Sequence, residues 1–476
     1  MTVEQDSAAA PTGGAGTETS NRAASRRVAL RPLLWRLHFL SGFLAAPVVL
    51  SLAITGMLFA WNPQIEAALH RDALTAVADG PAEPLSEQVT AARAERPDWD
   101  LVTVMPASPA GEQTTAVTLS PPRAGSGGFG PPPDAVTVYV DPASAAVTGE
   151  LTEANRPDEW LRTLHSSWQL GPIAEPLTEL AASWVLVSLL TGLYLWWPRN
   201  RRALARAFRF RRPGRLRWRA VHSTLGVGIL AALLLMVGTG LTWTNYAGAW
   251  LDVARSQLQS DTPSVSTQLA ATSATATGGH EQHAGHPTGS GGGGTATTDP
   301  ADGIDRVAAA ARGAGLNGVL ALGPPDEPGQ AWTASIEDSR WPIETSTVAV
   351  DPATGQVTDR VGWGDYPLLA KATTVGIAFH QAELFGLANQ IGLTLLAVAL
   401  IVLIIAGYRM WWLRRPAGGL GVPPRAGPLL RTVPVPLLVG FGALMVLLPT
   451  LGVSFLIYLV AERLVRTIRT PTGAHR

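Results

Sequence analysis

Four histidines recur in two matched sets. His165 and His380 each head a stretch that aligns without gaps. Gly171 and Gly386 follow six residues later, Gly192 and Gly407 follow 27 later, and the pairs Trp196-Trp197 and Trp411-Trp412 follow 31 and 32 later. His38 and His222 head the second set, with Gly42 and Gly226 four residues on, Thr55 and Thr239 17 on, and Gly56 and Gly240 18 on. Imidazole is a nitrogen donor for iron, copper, zinc and nickel. Two imidazoles from facing helices can clamp a planar macrocycle such as haem b, which is held by axial ligands alone. The residues 4 and 18 after each of these histidines lie on the histidine's own face, because 18 residues make five helical turns. Glycine in a helix costs roughly 1 kcal/mol against alanine. Four glycines on two matched faces therefore imply close approach of something bulky, although small residues also mark plain helix–helix packing.

The elements that must position these histidines are apolar helices. The chain has 476 residues, 46% of them apolar, with no net charge, and several apolar runs exceed the ~18 residues that indicate a membrane span. It contains no cysteine, which excludes disulfides, covalently attached haem and cysteine-bound iron–sulfur clusters. The expected order is a disordered cytoplasmic tail at 1–30, a first span at 33–62, an outer segment at 63–175 and a second span at 176–197. A basic cytoplasmic loop at 198–221, a third span at 222–246 and a second outer segment at 247–379 follow. A fourth span at 387–412, a cytoplasmic loop at 413–433, a fifth span at 434–461 and a tail at 462–476 complete it. Loop 198–221 carries ten arginines and no acid, so it is expected in the cytoplasm, as is the arginine-bearing N-terminus. Five spans would put the tail outside, yet it carries Arg463, Arg466, Arg469 and Arg476. Pro449 is where the last span could fold back.

Each outer segment holds a strand, an Asp-Pro turn and a strand, at VTVYVDPASAAVTGEL (136–151) and VAVDPATGQVTDR (348–360). The chain thus reads as a duplicated unit of helix, outer β segment and helix, plus one extra helix. Both units start inside, so an axis along the membrane normal relates them and equivalent residues share a depth. His38 and His222 fall at the cytoplasmic level and His165 and His380 at the outer level, roughly 30 Å apart. Any paired ligation must join His38 to His222, and His165 to His380.

With these residues in view, LHFLSGFLAAPVVLSLAITGMLFAW, the two Asp-Pro hairpins and the two histidine-to-Trp-Trp helices resemble the PepSY-associated transmembrane family, the iron-regulated membrane proteins. The resemblance covers about residues 33–415. It implies an integral membrane helical bundle of about five spans carrying two small extracytoplasmic α/β PepSY-like modules in the cytoplasmic membrane. Some members are ferric-siderophore reductases with b-type haems bound by bundle histidines, which would match His38, His165, His222 and His380. The expected cofactor is haem b, two per chain. The expected activity is electron transfer from quinol or a partner reductase to a ferric chelate, with lipid around the helices.

The spans lack charged residues at mid-depth, which counts against an ion-coupled carrier. No glycine fingerprint follows a strand, so neither an NAD nor a flavin site is expected, nor is a nucleic-acid partner. Two other readings remain. A sensory or inhibitory scaffold would use the outer modules and carry no pigment. A metal-handling protein would use the His- and Gly-rich insert at 261–299, where His280, His283 and His286 stand three residues apart and could bind copper, zinc or nickel. Tryptophans near the helix ends read as interfacial anchors. Glu179, Glu383, Gln390 and Arg409 are expected at exposed or snorkelling positions without chemistry.

Overall fold

The computed structural model describes residues 15–108, 113–122, 131–197, 213–269, 301–421 (apart from 302, 326, 328, 418 and 420) and 433–469. Residues 270–299 of the insert, with His280, His283 and His286, lie outside the described residues, as does most of the basic loop at 198–221. The chain forms two compact units. The first comprises residues 1–51, 175–250 and 398–476, and the second 52–174 and 251–397.

In chain order the helices are α1 (Ala15–Ala60), α2 (Asn62–Leu69), α3 (Arg71–Leu74), α4 (Leu85–Glu95), α5 (Pro157–Ser167), α6 (Glu175–Trp196) and α7 (Arg215–Gly228). They continue with α8 (Leu230–Leu241), α9 (Ala247–Gln257), α10 (Ile304–Gly313), α11 (Leu368–His380), α12 (Leu387–Trp412), α13 (Val435–Leu447) and α14 (Pro449–Arg469). Three helical stretches are long and apolar enough to cross a membrane: Leu30–Ala60, Glu175–Trp196 and Leu387–Trp412. The count rises to five if α7 with α8, bent by 59°, and α13 with α14, bent by 118°, are each one span. Helix α1 begins at Ala15, inside the stretch expected to be unstructured. Alanine and arginine there are strong helix formers that continue the first span backwards. The bend between α13 and α14 has a covalent cause. Pro449 cannot donate the helical hydrogen bond and forces Leu448 out of helical backbone, to φ −120° and ψ 83°. The arms then approach so closely that a Cβ on Gly452 would lie 2.8 Å from the Met445 carbonyl oxygen. In the first unit, Val187 of α6, Leu241 of α8, Leu448 and Leu451 form one buried cluster, and Ala45, Val49 and Ala181 form another.

The second unit is built on one antiparallel sheet rather than two separate ones. Its eight strands are β1 (Asp100–Met105), β2 (Thr115–Ser120), β3 (Val136–Val140), β4 (Val147–Thr152), β5 (Leu320–Gly323), β6 (Trp332–Ile336), β7 (Ser346–Val350) and β8 (Val357–Gly362). They lie in the order β4-β3-β2-β1-β5-β6-β7-β8. Each half contributes a four-stranded meander, and the two meet where Val104 of β1 pairs with Leu322 of β5. Joining the halves pairs what would otherwise be two open central edges. The Asp-Pro turns connect β3 to β4 and β7 to β8, with matching irregularities at Tyr139/Val140 and Ala349/Val350. Val89 and Ala92 of α4, with Ile304, Val307 and Ala311 of α10, cover one core shared by both halves of the sheet, together with Val104, Val117, Val138, Leu322 and Val348.

A carboxylate fastens the halves together. Helix α4 starts after Pro84, which has no side-chain acceptor to cap it. Asp305, from the first turn of α10, takes that role, accepting the N–H of Leu85 at 2.6 Å and the hydroxyl of Ser86. Replacing a capping carboxylate by alanine costs about 0.5–2 kcal/mol. Asp305→Ala should lower stability by about that amount in denaturant titrations followed by circular dichroism, and Ser86→Ala by less, because the backbone bond to Leu85 survives it.

Candidate functional site

Three of the four repeat histidines sit in cradles of the same design. His38, on α1, places Nδ1 3.0 Å from the carbonyl oxygen of Ser188 on α6 and 3.3 Å from Thr191 Oγ1. His222, on α7, places Nδ1 3.0 Å from the carbonyl oxygen of Leu403 on α12. Ser188 and Leu403 are equivalent positions of the repeat, each 23 residues after its own histidine, His165 or His380. His165, near the end of α5, places Nδ1 2.9 Å from Thr55 Oγ1. Each ring therefore uses Nδ1 to bond a neighbouring helix. Among the described residues, no hydrogen bond is made at Nε2 of these three rings. This is how metal-binding histidines are oriented: one nitrogen is tied to a carbonyl or hydroxyl, and the other is held as a donor. Burial depresses the pKa of His165 to about 4, which keeps its imidazole neutral.

The rings of His38 and His222 pack edge-on, with centroids 6.1 Å apart and planes at 78°. The pair inferred for this level of the repeat is thus brought together in space. His380 is the last residue of α11 and is half-buried.

The repeat glycines bear on the packing of the histidines and of their helices. A Cβ on Gly56 would lie 3.0 Å from Cε1 of His165, so the space it leaves is filled by an imidazole. A Cβ on Gly42 would meet Ser188 Oγ at 3.9 Å and one on Gly226 would meet Leu403 Cδ1 at 3.5 Å, both ordinary packing distances. The histidine must come close to the neighbouring helix to reach its backbone carbonyl, and the residue beneath it must be small. By that logic Gly192 belongs to the site, since a Cβ on it would lie 2.9 Å from His38 Cε1, whereas one on the equivalent Gly407 would meet His222 Cε1 at an ordinary 3.6 Å. Their signal was present in the repeat, where both follow the outer histidine by 27 residues.

Aromatic side chains join α1 to α12 within the first unit. Phe43 packs against Tyr408 and Trp411 with ring centroids 5.2 and 5.0 Å away, and the Tyr408 hydroxyl donates to the Phe43 carbonyl at 2.9 Å. Arg414 lies 4.8 Å over Trp35 and 5.3 Å over Phe39. Trp197 and Trp412 are exposed, as interfacial anchors are. Arg409 stacks over Trp218. Gln390 is buried and bonds Gln64 at 3.0 Å, and Glu383 is half-buried. Glu179 departs furthest from expectation. It is only 1% exposed, because the α13–α14 elbow and the α8–α9 connection close over it. No cluster of three or more histidine, aspartate or glutamate side chains able to hold a metal ion occurs among the described residues.

The family model PepSY_TM, the PepSY-associated TM region, matches residues 35–414. The chain belongs to this family. As a PepSY_TM protein it is a membrane protein, and the matched region contains all four repeat histidines and the whole eight-stranded sheet. The α13–α14 elbow lies beyond the match. No curated protein matches the chain.

Proposed function

We propose that this PepSY_TM protein carries electrons across the cytoplasmic membrane on b-type haem, to a ferric chelate such as an iron–siderophore complex. The observation that carries the reading is the His38–His222 pair. Two imidazoles this close, carried by different helices, would be able to hold one haem iron between them. The observed separation is 6.1 Å. The chemistry of the donor set agrees, because both rings are tied through Nδ1 to backbone carbonyls. Haem, when bound, supplies a one-electron couple.

The protein's own residues would hold that group and set its surroundings. His38 and His222 would hold the haem iron at the cytoplasmic level, with Ser188 and Leu403 fixing their tautomers and Gly192 admitting the His38 ring. His165 and His380 would serve the outer level, with Thr55 orienting His165. The N-terminus would lie in the cytoplasm and the joined PepSY-like modules outside, where the acceptor binds. Quinol or a partner reductase would be the donor.

A reduced-minus-oxidised absorption spectrum of the purified full-length protein, expressed with ample haem, tests this. A b-type α-band is expected. His38→Ala and His222→Ala should each remove about half of it, as loss of one of two bis-histidine sites requires. The double variant should remove no more, and His38→Ala with His380→Ala should remove all. A pigment-free wild-type protein would overturn the reading.

A further inference from the structure

Helix α6 carries a polar stripe in an apolar span. Glu175, Glu179 and Ser183 follow one another at intervals of four residues, so they stack along one face. Glu175, in the first turn, is half-buried, and its Oε2 accepts from Asn245 Nδ2. Glu179, one turn deeper, is 1% exposed. Its Oε2 accepts the backbone N–H of Tyr246 and its Oε1 the hydroxyl of Thr450, both at 3.2 Å. Ser183, a further turn in, is 0% exposed, and its Oγ has no hydrogen-bond partner among the described residues. Val187 continues the face, in the apolar cluster with Leu241, Leu448 and Leu451.

The charge balance of this stack is incomplete. An ionised carboxylate taken out of water costs several kcal/mol unless a positive charge accompanies it. The donors to Glu179 are a peptide N–H and a hydroxyl, and both are neutral. The positive end of α6 helps only within its first turn, where Glu175 already stands. The Ser183 hydroxyl, buried without a partner among the described residues, is a second and separate observation, since such a group calls for an explanation and a bound ion is one. Carboxylate and hydroxyl oxygens are hard donors that select hard cations. Calcium and magnesium sites draw on six or more oxygens, with carboxylates supplying much of the charge. One buried carboxylate balances a single positive charge.

We propose that Glu179, Ser183 and Thr450 form a binding site for an alkali-metal cation within the helical unit. Thr450 is delivered by the Pro449 elbow, so residues outside the family match complete the site. Broken membrane helices commonly present such sites. The site is independent of the haem reading, and its test needs no redox measurement.

The test is thermal unfolding of the purified full-length protein in sodium, potassium or choline chloride at equal ionic strength. The wild type should unfold at a higher temperature, saturably, in sodium or potassium than in choline, and the arm with the larger shift names the preferred ion. Glu179→Gln should abolish that difference and be at least as stable as the wild type in choline, because the amide keeps the shape and calls for no counter-ion. Ser183→Ala should leave the choline value unchanged and raise the half-saturating salt concentration several-fold. Superimposable wild-type curves in all three salts would overturn the proposal. So would a Glu179→Gln protein that keeps the shift, or one that unfolds earlier than the wild type in choline, which would make Glu179 a simple hydrogen-bonding tie.

Discussion

Gly192→Ala should lower the unfolding temperature and, on the proposed haem reading, remove up to half of the b-type absorbance, while Gly407→Ala at the matched position changes neither. A Cβ on residue 192 would stand 2.9 Å from His38 Cε1 and 3.4 Å from Nδ1. Real Cβ atoms do not approach that closely, so something has to move. The imidazole is rigid and short-tethered, and it is pinned by the bond from Nδ1 to Ser188. Ser41 and Ser188, whose hydroxyls are 2.6 Å apart, hold α1 against α6 at the same level. Relief must therefore lengthen the Nδ1 bond or separate the helices, and either shifts His38 relative to His222. Overpacking of this kind costs typically 1–3 kcal/mol. At residue 407 the same methyl group would meet His222 Cε1 at 3.6 Å, an ordinary contact. Pigment content and thermal unfolding of both variants check this. Unchanged unfolding of Gly192→Ala would show that the cradle is looser than described. A lower unfolding temperature with full pigment would keep the cradle and refute the ligand role of His38.

Much of this arrangement was legible in the sequence because duplication writes the same constraint twice. The matched spacing of His38 with His222 identified a pair that the structure brings to 6.1 Å. The two Asp-Pro hairpins became β3–β4 and β7–β8. What escaped were relations between segments distant in the chain. Glycine periodicity shows that a face is open, yet it does not show what fills it. The space that Gly56 leaves is filled by the His165 ring, a neighbour that its spacing from His38 does not name. The pairing of β1 with β5 rests on a contact between residues 218 positions apart, Val104 and Leu322, which no local pattern announces. Glu179 sits near the end of an apolar run, where exposure is the ordinary expectation. Its burial depends on an elbow more than 260 residues later, at Pro449 and Thr450.

Asp141→Ala should be among the most destabilising single changes in the sheet, and Asp351→Ala, its repeat equivalent, a mild one. The two residues occupy the same corner of the same turn, and their surroundings differ. Asp141 is 2% exposed. Its Oδ2 accepts the backbone N–H groups of Val77 and Ala78 at 2.7 and 2.8 Å, and its Oδ1 accepts those of Ala143 and Ser144 at 3.0 and 3.2 Å. It therefore ties the segment after α3 to the β3–β4 turn. Asp351 accepts the N–H of Ala353 at 2.9 Å and the Thr354 hydroxyl at 2.8 Å, both within its own turn. Hydrogen bonds to a charged acceptor contribute about 1.5–3 kcal/mol each and do not add fully, so Asp141→Ala should cost on the order of 3–5 kcal/mol and Asp351→Ala about 1. The pH dependence separates this account from simple packing. Burial raises the Asp141 carboxyl, but four N–H donors outweigh it and hold the group below its ordinary value of 3.8. A carboxyl depressed in the folded state stabilises above its unfolded pKa, and that stabilisation is lost as pH falls through the folded value. The wild type should therefore lose stability below about pH 4, and Asp141→Asn, similar in shape but without the charge, should lose less over the same window while starting lower at neutral pH. Thermal unfolding followed through the β-sheet signal across that range would decide it. Parallel pH profiles for the wild type and Asp141→Asn would show that the carboxylate contributes only its shape.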